Sequence, residues 1–326
     1  MLFSVTVPCY NVGSYVRQCV ESILAQTFTD FELVVVNDGS KDDTLEILEE
    51  YAAADARVKI IDKPNGGLVS ARKAAAAVAQ GEYVVVVDGD DAVSPDYLEG
   101  FAAAVRQYSP DVVSCGYTIR YDDVDKTVDP VEAGGRIGFF SRHDLESCLY
   151  GKDLFSMTPN LWSKAFRKEL YLKYQMAIDE SIRMGEDGVV TYPCLHDAGS
   201  LAIIPGTGYY YRVVHSSMTH DKRKFIPFES AEWRISFLEK TLGPDAVMMK
   251  QVARYAVHSY FTSAASIMNR YPYPEAKDVL NQLLVKDDVR LRLKNGKEYC
   301  TFAERLARVI LLHRIYPLLK LVTVIR

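Results

Sequence analysis

The stretch Gly81-Glu82-Tyr83-Val84-Val85-Val86-Val87-Asp88-Gly89-Asp90-Asp91 decides how the chain is read. Four consecutive valines are β-branched and far too short to span a bilayer. They read as a central strand covered on both faces of a parallel sheet. The strand runs straight into three carboxylates, Asp88, Asp90 and Asp91. In open α/β sheets, ligands bind beyond the carboxyl ends of the strands. Carboxylates this close repel one another. A hard divalent cation held by oxygen ligands, its shell completed by phosphate and water, would answer that repulsion. The competing reading is an acidic turn that caps the following helix.

Working outward, Phe3 to Val7, Phe31 to Val36 and Val58 to Ile61 have the composition of strands. Val16, Cys19, Val20, Ile23 and Leu24 recur at helical spacing within residues 12–26, and Leu45, Leu48 and Tyr51 do so in a helix with an acidic first turn. An alanine-rich helix, Leu68 to Ala79, follows the flexible Asn65-Gly66-Gly67. Another helix is expected from about Pro95 to Tyr108, and a strand from Val112 to Tyr117. This alternation predicts an α/β fold with a mostly parallel, doubly wound sheet and right-handed crossovers. The dinucleotide-binding version is excluded: no GxGxxG follows the first strand, and Pro8 stands where the first glycine belongs.

Residues 118–142, with Asp122, Asp123, Asp125 and Asp129, lack EF-hand spacing and read as a solvated hairpin or loop. Residues 143–176, Trp162 to Arg167 included, read as helical. A helix opens at Arg183 to Asp187 and runs through Tyr192, and Leu201 to Ile204 and Gly208 to Val213 resemble short strands. From about residue 228 the pattern is wholly helical. Thr301 and Glu304 form a capping box, and Pro317 is expected to break or kink the final helix.

The chain has 326 residues, 48% of them apolar and 25% charged, which is ordinary for a globular protein. A net charge of −5 gives no reason to expect nucleic-acid binding. Six cysteines without CxxC spacing read as buried free thiols, which fits a reducing, cytoplasmic setting. The N-terminus shows no basic leader or cleavage site, and no run of about eighteen apolar residues occurs, so no span is expected.

Seven segments then stand in order: Val5-Thr6-Val7-Pro8-Cys9-Tyr10-Asn11, Gln26-Thr27-Phe28, Asn37-Asp38-Gly39-Ser40, Asn65-Gly66-Gly67 with Ala71-Arg72, Asp88-Gly89-Asp90-Asp91, Glu186-Asp187, and Tyr211-Arg212 with Ser217. Together they resemble the inverting family 2 glycosyltransferases of GT-A fold, the type that builds bacterial cell-surface polysaccharide. The resemblance implies a nucleotide-sugar-binding catalytic domain over residues 1–220 and a helical extension over 221–326. It implies that Pro8, Tyr10 and Asp38 hold the nucleotide base. A carboxylate at Asp38 accepts the N3–H of uracil or thymine, which cytosine lacks, so a UDP-sugar is expected first and a dTDP-sugar second. A helix N-cap is the alternative for Asp38. Arg72 matches an arginine beside the donor diphosphate or base, the alternative being a surface arginine.

The resemblance also assigns Asp88 to the ribose or a metal-bound water and Asp90 to Mg²⁺ or Mn²⁺, with His215 a candidate for the same metal shell. Asp91 is expected to orient the turn or the sugar hydroxyls. Arg212 and Ser217 match a diphosphate clamp. Asp187 matches the catalytic base, with Glu186 positioning it or the acceptor. Trp162 reads as an acceptor-side stacking residue or as core. The expected partners are a UDP-sugar and a saccharide or lipid-linked saccharide acceptor, with no nucleic acid. Basic residues interleaved with apolar ones after residue 301 point either to a peripheral membrane contact, on the inner face of the cell membrane, or to a homodimer. Two other functions compete: a catalytically silent nucleotide-sugar-binding protein, and a phosphohydrolase using the DxD pair.

Overall fold

The structure is a computed structural model that describes residues 1–120, 125–128, 136–147, 154–182, 184–213 and 228–319. The chain divides into two compact units, Met1–Lys152 with Ser156–Val214, and Asp153–Phe155 with His215–Arg326.

In the first unit, β1 (Phe3–Cys9), α1 (Gly13–Leu24), β2 (Phe31–Asn37), α2 (Thr44–Ala54), β3 (Val58–Asp62), α3 (Leu68–Val78) and β4 (Tyr83–Val86) alternate as the apolar periods require. β1 lies between β2 and β4, all three parallel, with Val5 opposite both Leu33 and Val85. Successive strand residues point to opposite faces. Leu33, Val35 and Val85 join a core with Val16, Val20 and Ile23 of α1. Val34 and Val36 pack instead against Ala71 and Ala75 of α3. Cover on both faces is why these strands read as continuous β-branched runs. Backbone crowding is severe where β4 begins. A Cβ on Gly81 would lie 2.4 Å from the Ser4 nitrogen and 2.5 Å from the Phe3 carbonyl carbon. Gly81→Ala is therefore expected to lower stability by about 1–3 kcal/mol, the usual range for overpacking, read as a fall in the denaturant midpoint.

The unit continues with β5 (Ala92–Val93), α4 (Tyr97–Tyr108), β6 (Val112–Ser114), β7 (Tyr117–Arg120), β8 (Asp125–Val128), β9 (Gly138–Ser141) and α5 (Arg142–Leu145). It ends with β10 (Lys164–Arg167), α6 (Lys168–Gln175), α7 (Glu186–Asp197), β11 (Ser200–Ile203) and β12 (Tyr209–Arg212). The large sheet runs β3-β2-β1-β4-β10-β6-β11-β9, and a small one runs β5-β12-β7-β8.

Two expectations are corrected. Residues 143–176 are not one helical stretch, because Lys164–Arg167 forms β10, antiparallel between β4 and β6. Pairing on both sides and burial of Ala165 and Phe166 override the local helical pattern. Val112 to Tyr117 is not one strand either. β6 stays in the large sheet and β7 joins the small one, with Cys115 donating to the Ser163 carbonyl and Gly116 to that of Gly206 at the bend. β7 and β8 pair as an antiparallel hairpin, Tyr117 opposite Val128, while Asp122, Asp123 and Asp129 lie outside the described residues.

In the second unit, α8 (Phe228–Thr241), α9 (Ala246–Arg270), α10 (Tyr273–Leu283), α11 (Asp287–Asn295) and α12 (Phe302–His313) follow one another. α9, 25 residues long, packs against the other four. Arg292 of α11 reaches Glu232 at 3.2 Å and Glu239 at 2.7 Å on α8. The capping box of Thr301 and Glu304 is present at the start of α12, which ends before Pro317. No described helix is long and apolar enough to cross a membrane. Cys9, Cys19, Cys115, Cys194 and Cys300 are free and buried, and Cys148 lies outside the described residues.

Candidate active site

The parallel register brings the carboxyl ends of β1, β2 and β4 to one edge of the large sheet. Pro8 is buried within β1 opposite Val36, and Tyr10, just past the strand, is 48% exposed. Asp38 follows β2 and its backbone N–H donates to the Cys9 carbonyl at 2.9 Å. Its carboxylate is almost fully buried. Oδ1 accepts from Lys63 Nζ at 2.6 Å and from the Gly66 N–H at 2.9 Å, and Oδ2 accepts from the Gly67 N–H at 2.7 Å. Asp38 is thus not the N-cap of α2, a position held by Asp43. It fastens the glycine loop that leads into α3.

The acidic turn follows β4. Asp91 is buried and accepts from the Tyr209 hydroxyl at 2.5 Å and from the Arg212 N–H at 2.7 Å. It ties the turn to β12, and burial together with its acidic neighbours pushes its carboxyl well above the ordinary range. Arg212 Nε donates to the Asp90 carbonyl at 2.9 Å, and its Nη2 bonds Gln18. Burial, reinforced by Asp88, pushes the Asp90 carboxyl up to about 6. Burial also raises Asp88, against the pull of Arg72.

Arg72 is where the site closes on itself. It sits on α3 in a stripe with Val69 and Ala76 and is 2% exposed, so it is not a surface arginine. Nη2 donates to Asp88 Oδ1 at 3.0 Å. Nη1 bonds Asp187 and lies 3.5 Å from Glu186. One guanidinium therefore joins the turn after β4 to the first turn of α7. Gly185, with φ 75°, adopts a left-handed conformation that releases the chain into that helix. Two acids at a helix N-terminus are favoured by the macrodipole. Burial, with Asp187 beside it, pushes Glu186 up.

Asp187 is also held from the other side. Its Oδ2 accepts the Leu161 N–H at 3.3 Å. Leu161 belongs to a loop stitched by Asn160, whose Nδ2 donates to the Trp162 carbonyl at 2.7 Å, and by the buried Lys164, whose Nζ donates to the Asn160 carbonyl at 3.1 Å. Half-buried Trp162 stacks on Tyr209 (4.7 Å, 13°) and Tyr211 (5.3 Å, 14°). The indole is thereby fixed beside the strand that carries Arg212.

The structure thus gathers Asp88, Glu186 and Asp187 around Arg72, brings Arg212 to the acidic turn, and sets Trp162 on β12. Ser217 and His215 lie outside the described residues. Among the described residues no three His, Cys, Asp or Glu side chains form a metal cage. Asp88 and Asp90 still fit Mg²⁺ or Mn²⁺, which are commonly held by one or two carboxylates plus substrate phosphates. Lys63, Leu161 and Tyr209 were not singled out by the sequence. Tyr209 and Tyr211 carried the one available signal, an alternation that places both on one strand face.

Residues 4–164 match the family model described as Glycosyl transferase family 2. The chain is 32% identical to the uncharacterized glycosyltransferase EpsJ of Bacillus subtilis strain 168, over 71% of this chain and 65% of that protein. It is 30% identical to a protein of the same strain assigned as the glycosyltransferase EpsH, over 73% of this chain and 69% of that one. The match therefore spans about two thirds of each relative. Staphylococcus aureus TarS residues 1–349, solved in complex with UDP-GlcNAc, superposes with a TM-score of 0.73 at 20% identity, covering 98% of this chain and 92% of that one. The fold is of GT-A type, and the chain belongs to glycosyltransferase family 2.

Proposed function

We propose that the chain transfers a sugar, with inversion, from a UDP-sugar to a hydroxyl of a saccharide or lipid-linked acceptor during cell-surface polysaccharide synthesis, residues 1–220 forming the catalytic part. The observation that carries this reading is the ion-pair cluster in which Arg72 holds donor-side Asp88 and acceptor-side Asp187 together. Pro8, Tyr10 and Asp38 line the proposed base site. Asp38 is the proposed acceptor of the uracil N3–H, and its bonds to Lys63, Gly66 and Gly67 fix the loop beside that site. Arg212 faces the diphosphate, for which its planar fork is suited. Asp90 and Asp88 would hold Mg²⁺ or Mn²⁺, which when bound offsets charge on the departing diphosphate.

Asp187 takes the proton of the attacking hydroxyl. The acceptor oxygen bonds the anomeric carbon as the carbon–oxygen bond to the diphosphate breaks, and the electron pair leaves with UDP. Inversion needs this single base on the face opposite the leaving group, and no covalent intermediate. Glu186 orients Asp187 or the acceptor, and Trp162 is the aromatic residue on the acceptor side. A donor screen that reads released UDP, with Mn²⁺ present and absent, tests the proposal. Release with UDP-sugars and an opposite anomeric configuration in the product are expected. Phosphate-ester cleavage, or binding without turnover, would replace it with one of the competing functions.

The second unit adds a proposed membrane contact. On α12 and the turn after it, Phe302 (75% exposed), Val309, Ile315 and Leu318 are exposed beside exposed Arg305 and Arg314. Apolar and basic residues together suit an anionic bilayer surface. Co-sedimentation with anionic vesicles, lost in a Phe302→Ser/Val309→Ser variant, is the expected result. No binding, together with a stable dimer dissolved by truncation at about residue 300, would assign this surface to a second subunit.

A further inference from the structure

We infer that Arg72 is a positioning residue for the transfer: it sets the register between Asp88 on the donor side and the base Asp187, and it makes no contact of its own with the donor diphosphate. The inference rests on the reading of Asp187 as the base. The side chain is 2% exposed, so the guanidinium presents almost no surface to an incoming phosphate. Its two terminal nitrogens point to different elements. Nη2 serves Asp88 after β4, and Nη1 serves Asp187 and Glu186 on α7. Nε, the remaining nitrogen, is buried and has no partner among the described residues.

These two elements are distant in sequence and belong to different layers, yet in-line displacement requires the base and the leaving group to be aligned on one carbon. A misplacement of about 1 Å can cost roughly 10²-fold in rate. Arginine can set such an alignment because its rigid planar fork serves two acceptors along different edges at once. A lysine ammonium is a single point charge on a flexible stem. α3 is built to bring the fork close. Its buried residues beside Arg72 are Val69, Ala71, Ala75 and Ala76, small enough for the helix to lie low on β1 and β2. Asp187 is held on its other oxygen by the Leu161 N–H. Among the described residues Arg72 is therefore one of two restraints on the base, and the one that ties it to the donor side.

The test is a double-mutant cycle of Arg72→Lys with Asp187→Asn, read by kcat for transfer and by UDP titration in the presence of Mn²⁺. Arg72→Lys is expected to lower kcat about 10²-fold while the UDP Kd stays within about threefold. It should add little to Asp187→Asn, because both changes disable one group, and effects within such a unit are not additive. Weakened UDP binding at unchanged kcat would make Arg72 a donor ligand and overturn the inference. So would losses that multiply in the double variant. Near-normal kcat in Asp187→Asn alone would remove the base assignment and the inference with it, a result distinct from the other two. A crystal structure of the unaltered protein with UDP and Mn²⁺ decides independently of how the variants fold. Arg72 should still bridge Asp88 and Asp187, and an Arg72 nitrogen hydrogen-bonded to a phosphate oxygen would refute the proposal.

Discussion

Asp187→Asn is expected to lower kcat by about 10²–10⁴-fold, the span usually supplied by a positioned general base. The amide keeps the size of the side chain and can still accept the Leu161 N–H, but it cannot take a proton. UDP affinity should be nearly unchanged, because donor binding is assigned to Asp38, Asp88, Asp90 and Arg212. Glu186→Gln should be milder or act mainly on the acceptor KM, since its contact with Arg72 is the longer one at 3.5 Å. Steady-state kinetics alongside UDP titration resolve the pattern. An inactive Glu186→Gln beside a nearly active Asp187→Asn would exchange the two roles. Lost UDP binding in Asp187→Asn would move that carboxylate to the donor site.

Asp90→Asn should abolish most transfer while leaving the fold intact, because Asp90 sits on a polar turn and its side chain is only partly buried. Residues that merely support metal ligands already cost roughly 10–100-fold when removed, so loss of an anionic ligand should exceed that. EDTA should inactivate the unaltered protein to a similar extent, and added Mn²⁺ should restore it but not the variant. Transfer that survives both EDTA and Asp90→Asn would exclude the metal-assisted reading.

How much of this was legible in the sequence depended on how local the signal was. β1, β2 and β4 were readable because each is a run of buried β-branched residues bounded by turn residues. The acidic turn was readable because its three carboxylates fall within four residues. β10 was not, since four residues of mixed character become a strand only when β4 and β6 flank them. The burial of Arg72 was partly legible. It stands three residues after Val69 and four before Ala76, on the buried stripe of α3, and a charged residue there calls for buried counter-charges. Which carboxylates supply them could not be read, because Asp88 and the Glu186–Asp187 pair come from distant segments. Asp38 shows the same limit. Its place after β2 was clear, but its bonds to Lys63, Gly66 and Gly67 depend on a loop more than two dozen residues away.

The insertion of β10 between β4 and β6 also governs when the open side of β4 is covered as the chain emerges from the ribosome. β1 to β4 are synthesised first and can pair among themselves, yet one edge of β4 has no neighbour until Lys164–Arg167 has been made. An N-terminal fragment ending before that point leaves the apolar, valine-rich edge of β4 open, the kind of surface that templates pairing with other chains. The strand that fills it is short and antiparallel, and Arg167 at its end reaches Glu82 at 3.0 Å and Asp111 at 3.1 Å. A late-arriving latch thus covers the open side of β4 and joins it to β6, and β11, made later still, then joins β6 to β9.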